Sequence, residues 1–282
     1  MRFSLLTLNL RARPEPDRID KLYRIARYIV EENISCVCLQ ECRQAPDAEL
    51  VDDGPLRADN TGYLMRQRLV AYGLKYEIVW AFSHRDSEGH EEGSAILTQL
   101  PILGSCSRYV SSSEDADDDQ SRNVIMARLA AAPNAAIDVY SVHLSPPEHG
   151  LAQQIESLVN FVQGTPEVLE QMKPPPPKRR GPPRRRVPGD EAPITTRLIC
   201  VAGDFNEGPE GEIRSLPQKG YLEASSIARQ ARPGTGTFRD GRWIDYVFIK
   251  PALRPQSARI VFNGDDRNAV SDHHGIVVEL EI

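Results

Sequence analysis

The 282-residue sequence predicts an α/β sandwich, in which two packed β-sheets carry helices on their outer faces. Three observations indicate this fold class: a β-α-β unit opens the chain, a ladder of short strands fills its middle, and strands return near its end. Two strand-rich halves of similar length are difficult to place in one flat sheet, whereas two stacked sheets accommodate them.

The opening β-α-β unit follows from three consecutive patterns. Residues 2–10 alternate apolar and polar side chains and predict a strand, and residues 15–33 place apolar side chains at helical spacing. Residues 34–40 (ISCVCLQ) form a short, nearly continuous apolar run, which is typical of a strand buried on both faces.

The remaining elements follow a polar, acidic loop over residues 42–60. The close spacing of the strands in the middle of the chain indicates antiparallel neighbours. The predicted elements are a helix at 63–72, strands at 76–82, 93–98, 102–110, 123–130 and 136–143, a helix at 151–163, and strands at 197–203, 243–249, 257–262 and 275–281.

A proline-rich basic segment interrupts this pattern. Lys173–Pro188 contains seven basic residues and no acidic one. Because proline lacks an amide donor and the arginines repel one another, the segment predicts an extended or disordered loop within an insert at 165–195. Candidate functional residues lie on both sides of the insert, so we expect one domain spanning residues 1–282.

Composition excludes several classes of protein. The net charge of −6 disfavours a general DNA-binding protein and suits the binding of divalent cations. No apolar stretch reaches the roughly 18 residues of a membrane span, and the N-terminal apolar run is too short for a secretory signal. The five cysteines include no C-x-x-C pair, so neither a disulfide framework nor a zinc knuckle is predicted, and we expect a reduced, cytoplasmic protein.

Polar residues with metal-binding or acid/base potential recur where predicted strands begin or end. An amide oxygen from Asn9 and a carboxylate from Glu41 suit a hard divalent cation. Taken alone, Asn9 also fits a turn former and Glu41 a solvated strand end, so the recurrence favours a functional site. The candidates are Asn9, Glu41, His143, Asp204, Asn206, Asp245, Asp272 and His273.

The GDFN motif follows a strongly apolar strand. Gly203 permits a tight turn, after which Asp204 and Asn206 can point into one cleft and orient a water and a phosphate oxygen. A simple Asx turn is the structural alternative.

Two histidines adjoin predicted strands. His143 and His273 can donate a proton or bind phosphate near neutral pH, although a histidine at a strand end is often structural. Since a buried carboxylate needs a cationic or donor partner, we expect Asp245 beside His273 and Glu92 beside His143.

Seven motifs, taken in order, resemble the endonuclease/exonuclease/phosphatase superfamily over nearly the whole chain. They are TLN, LQE, GSAILTQLPI, SVHL, GDFN, WIDYVF and SDHHG. This resemblance implies a four-layer α/β sandwich that hydrolyses a phosphate ester with Mg²⁺ or Mn²⁺. It implies that Asn9, Glu41 and Asp272 hold the metal. It also implies that Asp204 and Asn206 position the attacking water and a phosphate oxygen.

The resemblance further implies that His273 and Asp245 form a phosphate-binding pair. It implies that His143, supported by Glu92, protonates the leaving group. Arg11 departs from the abasic-site nucleases of the superfamily, which carry an acidic metal-site residue at this position.

Residues 59–97 and 260–275 resemble bacterial sugar-phosphate phosphatases of the maltose 6'-phosphate type. This branch implies a small phosphomonoester substrate such as a sugar phosphate, with Trp80 or His84 near the cleft, although Trp80 also fits a core aromatic residue.

Two alternatives remain open. The first is a nuclease acting on DNA or RNA, in which Arg11, Arg13 and the insert contact the phosphate backbone. The insert carries no aromatic residues for stacking on bases, which weakens this alternative. The second is a noncatalytic module that binds a partner protein or an anionic surface through residues 173–188.

Overall fold

The computed structural model describes residues 2–11, 16–51, 54–172, 194–264 and 269–282. These residues form twelve strands and five α-helices. In chain order they are β1 (Arg2–Asn9), α1 (Arg18–Glu31), β2 (Cys36–Gln44), α2 (Thr61–Ala71), β3 (Glu77–Arg85), β4 (Glu91–Thr98), β5 (Ile102–Tyr109), β6 (Asn123–Ala132), β7 (Ala135–His143), α3 (Leu151–Met172), β8 (Thr196–Asp204), α4 (Ser215–Gln218), β9 (Leu222–Glu223), α5 (Ser226–Ala231), β10 (Asp245–Ile249), β11 (Arg254–Val261) and β12 (Gly275–Glu281).

The strands form two six-stranded sheets. The order is β11-β12-β1-β2-β4-β3 in the first sheet and β5-β6-β7-β8-β10-β9 in the second. Among the described strands, β1 and β2 are the parallel pair of the first sheet, β7 and β8 are that of the second, and the other neighbours are antiparallel. The last two strands return to the first sheet, so the sheets do not divide the chain at its middle.

Apolar side chains place the core on both faces of the first sheet. Along β1, Phe3 and Leu5 belong to the cluster shared with the second sheet, whereas Leu6 and Leu8 belong to the cluster beneath α1 and α2. Helix α3 packs on the second sheet through residues such as Phe161. This arrangement confirms the predicted four-layer sandwich. None of the described helices is long and apolar enough to cross a membrane.

Helix α3 is longer than predicted, because it continues through Pro166 to Met172. A proline within a helix cannot donate to the carbonyl four residues earlier. Here that carbonyl, on Val162, accepts a hydrogen bond of 2.6 Å from Nη2 of Arg197 on β8. The start of the predicted insert at 165 was therefore wrong. Residues 173–193, with the proline-rich basic segment, lie outside the described residues.

We expect Arg197→Met to lower the free energy of unfolding by about 2–4 kcal/mol, because it removes charged hydrogen bonds to Asp138, the Tyr140 hydroxyl and the Val162 carbonyl. In a Pro166→Ala background, the restored amide of residue 166 can donate a hydrogen bond to the Val162 carbonyl. Arg197→Met should therefore lower the free energy of unfolding by less in this background. Urea denaturation of the four proteins measures this difference. Equal costs in both backgrounds would show that Arg197 does not compensate for the proline.

Candidate active site

The two parallel strand pairs bring the candidate residues to one end of the sandwich. Asn9 ends β1, and His143 and Asp204 lie opposite each other at the ends of β7 and β8. Strand β10 runs antiparallel to β8, and its first residue, Asp245, pairs with Asp204. Because β1 packs against β8 and β2 against β7, these strand ends converge.

Glu41 reaches the site from within a strand rather than from its end. Strand β2 continues to Gln44, and the register shift between Leu39 and Cys42 marks a bulge at Glu41, where φ is 52°. A bulge re-aims a side chain and leaves the strand otherwise intact. The predicted strand end at Glu41 was therefore wrong, but its side chain lies among the other candidates.

Gly203 lies within β8, where it is paired with Val142 of β7, so the predicted tight turn at Gly203 was wrong and the glycine is required by the close approach of the two strands. Gly203 has a φ of 152°, and a Cβ atom there would lie 1.9 Å from the Val142 carbonyl oxygen. Past this point, Asp204 Oδ1 accepts a hydrogen bond of 2.8 Å from the Asn206 amide, which is Asx-turn geometry. The Asn206 side-chain nitrogen donates to the Leu144 carbonyl at 2.8 Å. The Asx turn thus fixes Asp204 while its second oxygen faces the site.

Asn9 joins the carboxylates of the two sheets. Its Nδ2 donates to Glu41 Oε1 at 2.9 Å and to Asp204 Oδ2 at 3.1 Å, and its Oδ1 accepts from the Arg11 amide at 2.9 Å. In this arrangement the amide oxygen faces the backbone and not the carboxylates. Asn9 therefore holds the two acids together as a hydrogen-bond donor.

His273 lies between two buried carboxylates. Its Nδ1 is 3.0 Å from Asp245 Oδ2, and its Nε2 is 3.5 Å from Asp204 Oδ2. Burial opposes the positive charge, but Asp245, Asp204 and Asp272 outweigh it and raise the pKa of His273 to about 10. Burial and the charge of Asp245 raise the pKa of Asp204 to about 7. At neutral pH, His273 is therefore positively charged, and the neighbouring Asp204 is close to its midpoint of titration.

His143 faces the same carboxylates but is neutral. Its Nε2 lies 3.9 Å from both Glu41 Oε1 and Asp204 Oδ2. Burial, reinforced by the charge of Arg122, lowers the pKa of His143 well below its ordinary value. A neutral imidazole donates or accepts a hydrogen bond without adding charge to the site.

Glu92 lies against His84, with 3.5 Å between Glu92 Oε1 and His84 Nε2. Among the described residues, the carboxylates within 4 Å of a ring nitrogen of His143 are those of Glu41 and Asp204. The expectation of Glu92 beside His143 therefore does not match the structure. The register of β3 on β4 pairs His84 with Glu92. Trp80 belongs to the core cluster beneath α1 and α2, so His84 alone of this pair lines the cleft.

Asp272 forms an ion pair outside the cluster of carboxylates. Its Oδ2 forms an ion pair of 2.9 Å with Nη1 of Arg11. Ligand atoms of Asp204, Asp245 and His273 lie within 4.8 Å of one another, and Asp272 is not part of this group. Of the three predicted metal ligands, Asn9 and Glu41 adjoin Asp204 through the Asn9 amide, whereas Asp272 is paired with Arg11.

Arg122 is a functional candidate that sequence reasoning missed. It lines a cavity of about 420 Å³ together with Glu41, His143 and Asn206. Only 6% of Arg122 is exposed, and its Nε and Nη1 have no hydrogen-bond partner in the described part of the chain. Unsatisfied buried donors are costly, so a ligand oxygen in this cavity would stabilise the arginine. The sequence signal that could have indicated Arg122 is its position between an acidic run and an apolar strand.

Comparison with known protein families identifies the family of this chain. A model of the endonuclease/exonuclease/phosphatase family matches residues 6–273. The chain belongs to the endonuclease/exonuclease/phosphatase family. This membership confirms the predicted class of phosphoric ester hydrolases, comprising phosphatases and nucleases. A comparison with curated protein sequences gives no match.

Solved structures share the fold at low sequence identity. A family protein from Leptotrichia buccalis superposes with a TM-score of 0.78 at 20% identity, covering 99% of this chain and 100% of the other. TDP2 from D. rerio, complexed with a single-strand DNA product, has a TM-score of 0.64 at 13% identity over 100% and 99% of the two chains. The human nocturnin catalytic domain, with a bound sulfate anion, has a TM-score of 0.63 at 14% identity over 99% and 93%.

The His273 environment predicts a specific titration. In metal-free protein the imidazole should stay protonated from pH 6 to pH 8, because its pKa is raised to about 10. Asp245→Asn removes the nearest negative charge and should lower the pKa of His273. NMR titration of the ring, assigned with His273→Ala, measures both values. Deprotonation of wild-type His273 below pH 7 would contradict the described charge balance.

Proposed function

We propose that this chain hydrolyses a phosphate ester by attack of a water molecule, assisted by a divalent cation, in a single domain spanning residues 1–282. The observation that carries the proposal is the convergence of Asp204 and Asp245 around one cationic histidine, with Glu41 joined to Asp204 through the Asn9 amide. Beside them lies a cavity lined by the buried Arg122, whose Nε and Nη1 have no hydrogen-bond partner among the described residues. Phosphoryl transfer depends more on charge neutralisation and in-line placement than on a protein nucleophile.

The acidic cluster fits a divalent metal ion. Asp245 is almost fully buried, yet its Oδ1 has no hydrogen-bond partner among the described residues. The raised pKa of Asp204 also reflects the repulsion between neighbouring carboxylates. Oxygen atoms of Glu41, Asp204 and Asp245 are the donors that would hold Mg²⁺ or Mn²⁺. When bound, such an ion supplies positive charge for the phosphate oxygens.

The protein side chains have separate roles toward the attacking water, the phosphoryl oxygens and the leaving oxygen. Asp204, whose Oδ2 faces the site, would hold the metal ion and accept a hydrogen bond from the attacking water, which orients that water. His273 and Arg122 supply fixed positive charge to phosphoryl oxygens. His143 is neutral in the free protein, so it meets the leaving oxygen as a hydrogen-bond donor. Transfer of a proton from His143 requires that the bound phosphate first raise its pKa.

A small phosphomonoester, such as a sugar phosphate, is the first candidate substrate. The cavity of about 420 Å³ is within the size range of small-molecule sites. The likeness to sugar-phosphate phosphatases is the other support for this substrate. The five cysteines are free thiols, in keeping with the cytoplasmic location that we propose.

A nucleic acid is the second candidate substrate. The single-strand DNA product in the D. rerio TDP2 structure favours it, as does the basic lining of a cavity next to the site. Arg13 and residues 173–188 lie outside the described residues, so their contact with a nucleic acid or a partner stays a prediction.

Asp204→Asn and His273→Ala should each lower turnover by orders of magnitude while the protein stays folded, because the first removes a carboxylate that holds the metal ion and orients the water and the second removes a fixed cation. Steady-state kinetics and a thermal melt measure both. Asp47→Asn, which changes an exposed aspartate in the same way, is the matched control and should retain activity. Near-normal turnover in either site variant would refute its assigned role.

A substrate panel tests the proposed function itself. Purified protein with Mg²⁺ or Mn²⁺ should release phosphate from sugar phosphates or cleave single-stranded or plasmid DNA, and a chelator should abolish either reaction. Phosphate release without cleavage supports the first substrate, and cleavage alone supports the second. Hydrolysis that survives exhaustive chelation would contradict the metal-dependent mechanism.

A further inference from the structure

A second cavity adjoins the candidate active site. It has a volume of about 460 Å³ and shares no lining residue with the cavity that contains Arg122. Its walls come from the end of β1, the first turns of α1, the start of α2 and the segments that precede β10 and β12.

The lining of this second cavity is strongly basic. Arg11, Arg18, Lys21 and Arg239 contribute to its walls from three separate parts of the chain. Among the described residues of the lining, Asp272 is the acidic one and is paired with Arg11 at 2.9 Å, and Lys21 is paired with Asp17 at 3.3 Å. Such an excess of positive charge on a protein with a net charge of −6 favours an anionic occupant.

Arg18 places a guanidinium in the wall of the second cavity. Its Nη2 donates to the Thr61 hydroxyl at 2.9 Å, which fixes the guanidinium at the start of α2. Its buried Nε has no hydrogen-bond partner within the described ranges. A planar guanidinium held in this way is well suited to a phosphate oxygen.

The second cavity is linked to the active site through short connections. The Arg11 backbone amide donates to Asn9, whose side chain holds Glu41 and Asp204. Asp272 directly precedes His273 in the chain. Asp272, which lines the second cavity, is near enough to His273 for its charge to raise the pKa of that histidine, so a group bound in the cavity can belong to the same substrate molecule.

We propose that the second cavity binds a phosphate group of the substrate other than the one that is cleaved. This inference rests on the proposed function and narrows its substrate class to molecules that carry at least two phosphates. The second phosphate is that of a small bisphosphate or the next phosphodiester of a nucleic acid strand. Substrates with a single phosphate leave Arg18 and Arg239 without their ligand.

Paired substrates test this preference. Glucose 1,6-bisphosphate is compared with glucose 6-phosphate, and thymidine 5'-p-nitrophenyl phosphate is compared with and without a 3'-phosphate. In one of these two series, the wild-type protein should show a kcat/KM for the two-phosphate substrate that is higher by roughly tenfold or more. The series that shows the preference identifies the source of the second phosphate.

Charge-removing variants locate the preference in the second cavity. Arg18→Gln and Arg239→Gln should each bring the ratio of the two kcat/KM values toward one, mainly through KM. Arg239 is exposed, so its replacement does not put folding at risk, whereas Arg18 also anchors α2. Arg108→Gln and Arg254→Gln remove the same charge from exposed positions on β5 and β11 and should keep the wild-type ratio. An unchanged ratio in folded Arg239→Gln and Arg18→Gln would overturn the proposal.

A binding measurement separates this proposal from the proposed function. If neither these substrates nor the sugar phosphates and DNA of the substrate panel are hydrolysed, the proposed function fails. The second cavity is then judged by calorimetry with inorganic pyrophosphate in the presence of EDTA. The double variant Arg18→Gln/Arg239→Gln should bind pyrophosphate roughly tenfold or more weakly than the double control Arg108→Gln/Arg254→Gln. Equal affinities would refute the second phosphate site regardless of activity.

Discussion

The mutual repulsion of buried carboxylates is the constraint on which the site depends. Glu41, Asp204 and Asp245 come from three strands, and two of them are almost completely buried. Burial of like charges is unfavourable unless donors or cations offset it. Asn9 and the protonated His273 provide part of that compensation. A divalent cation would offset the remaining carboxylate repulsion. The same repulsion therefore favours the binding of a cation at this site.

The architecture produces this convergence through two local departures from regular strand geometry. One parallel pair in each sheet places several strand ends at the same edge of the sandwich. The bulge at Glu41 then turns a mid-strand carboxylate toward that edge, and Gly203 lets β8 approach β7 too closely for any side chain. Both departures serve to place acids within reach of Asn9. The fold thus provides a rigid frame, and a few backbone irregularities aim the reactive groups.

Much of the fold was predictable because hydrophobic periodicity and motif order depend on short stretches of sequence. The pairing of His273 with Asp245 was also predictable, since these residues lie in the SDHHG and WIDYVF motifs. Glu92 was misplaced because cross-strand register, which the sequence does not display, pairs it with His84. Past Pro166, α3 is accompanied by a hydrogen bond from the distant Arg197, a contact that local sequence does not reveal. Strand β9 and helices α4 and α5 are too short for a periodic signal.

The location of a bound metal ion tests the central claim most directly. Crystals grown with Mn²⁺ allow the ion to be located by anomalous scattering, independently of any substrate. The carboxylate repulsion predicts an anomalous peak in contact with Glu41 and Asp204, and loss of that peak in Glu41→Gln. An enzyme that is active with Mn²⁺ but shows no ion at these residues, or binds it elsewhere in the molecule, would contradict the account.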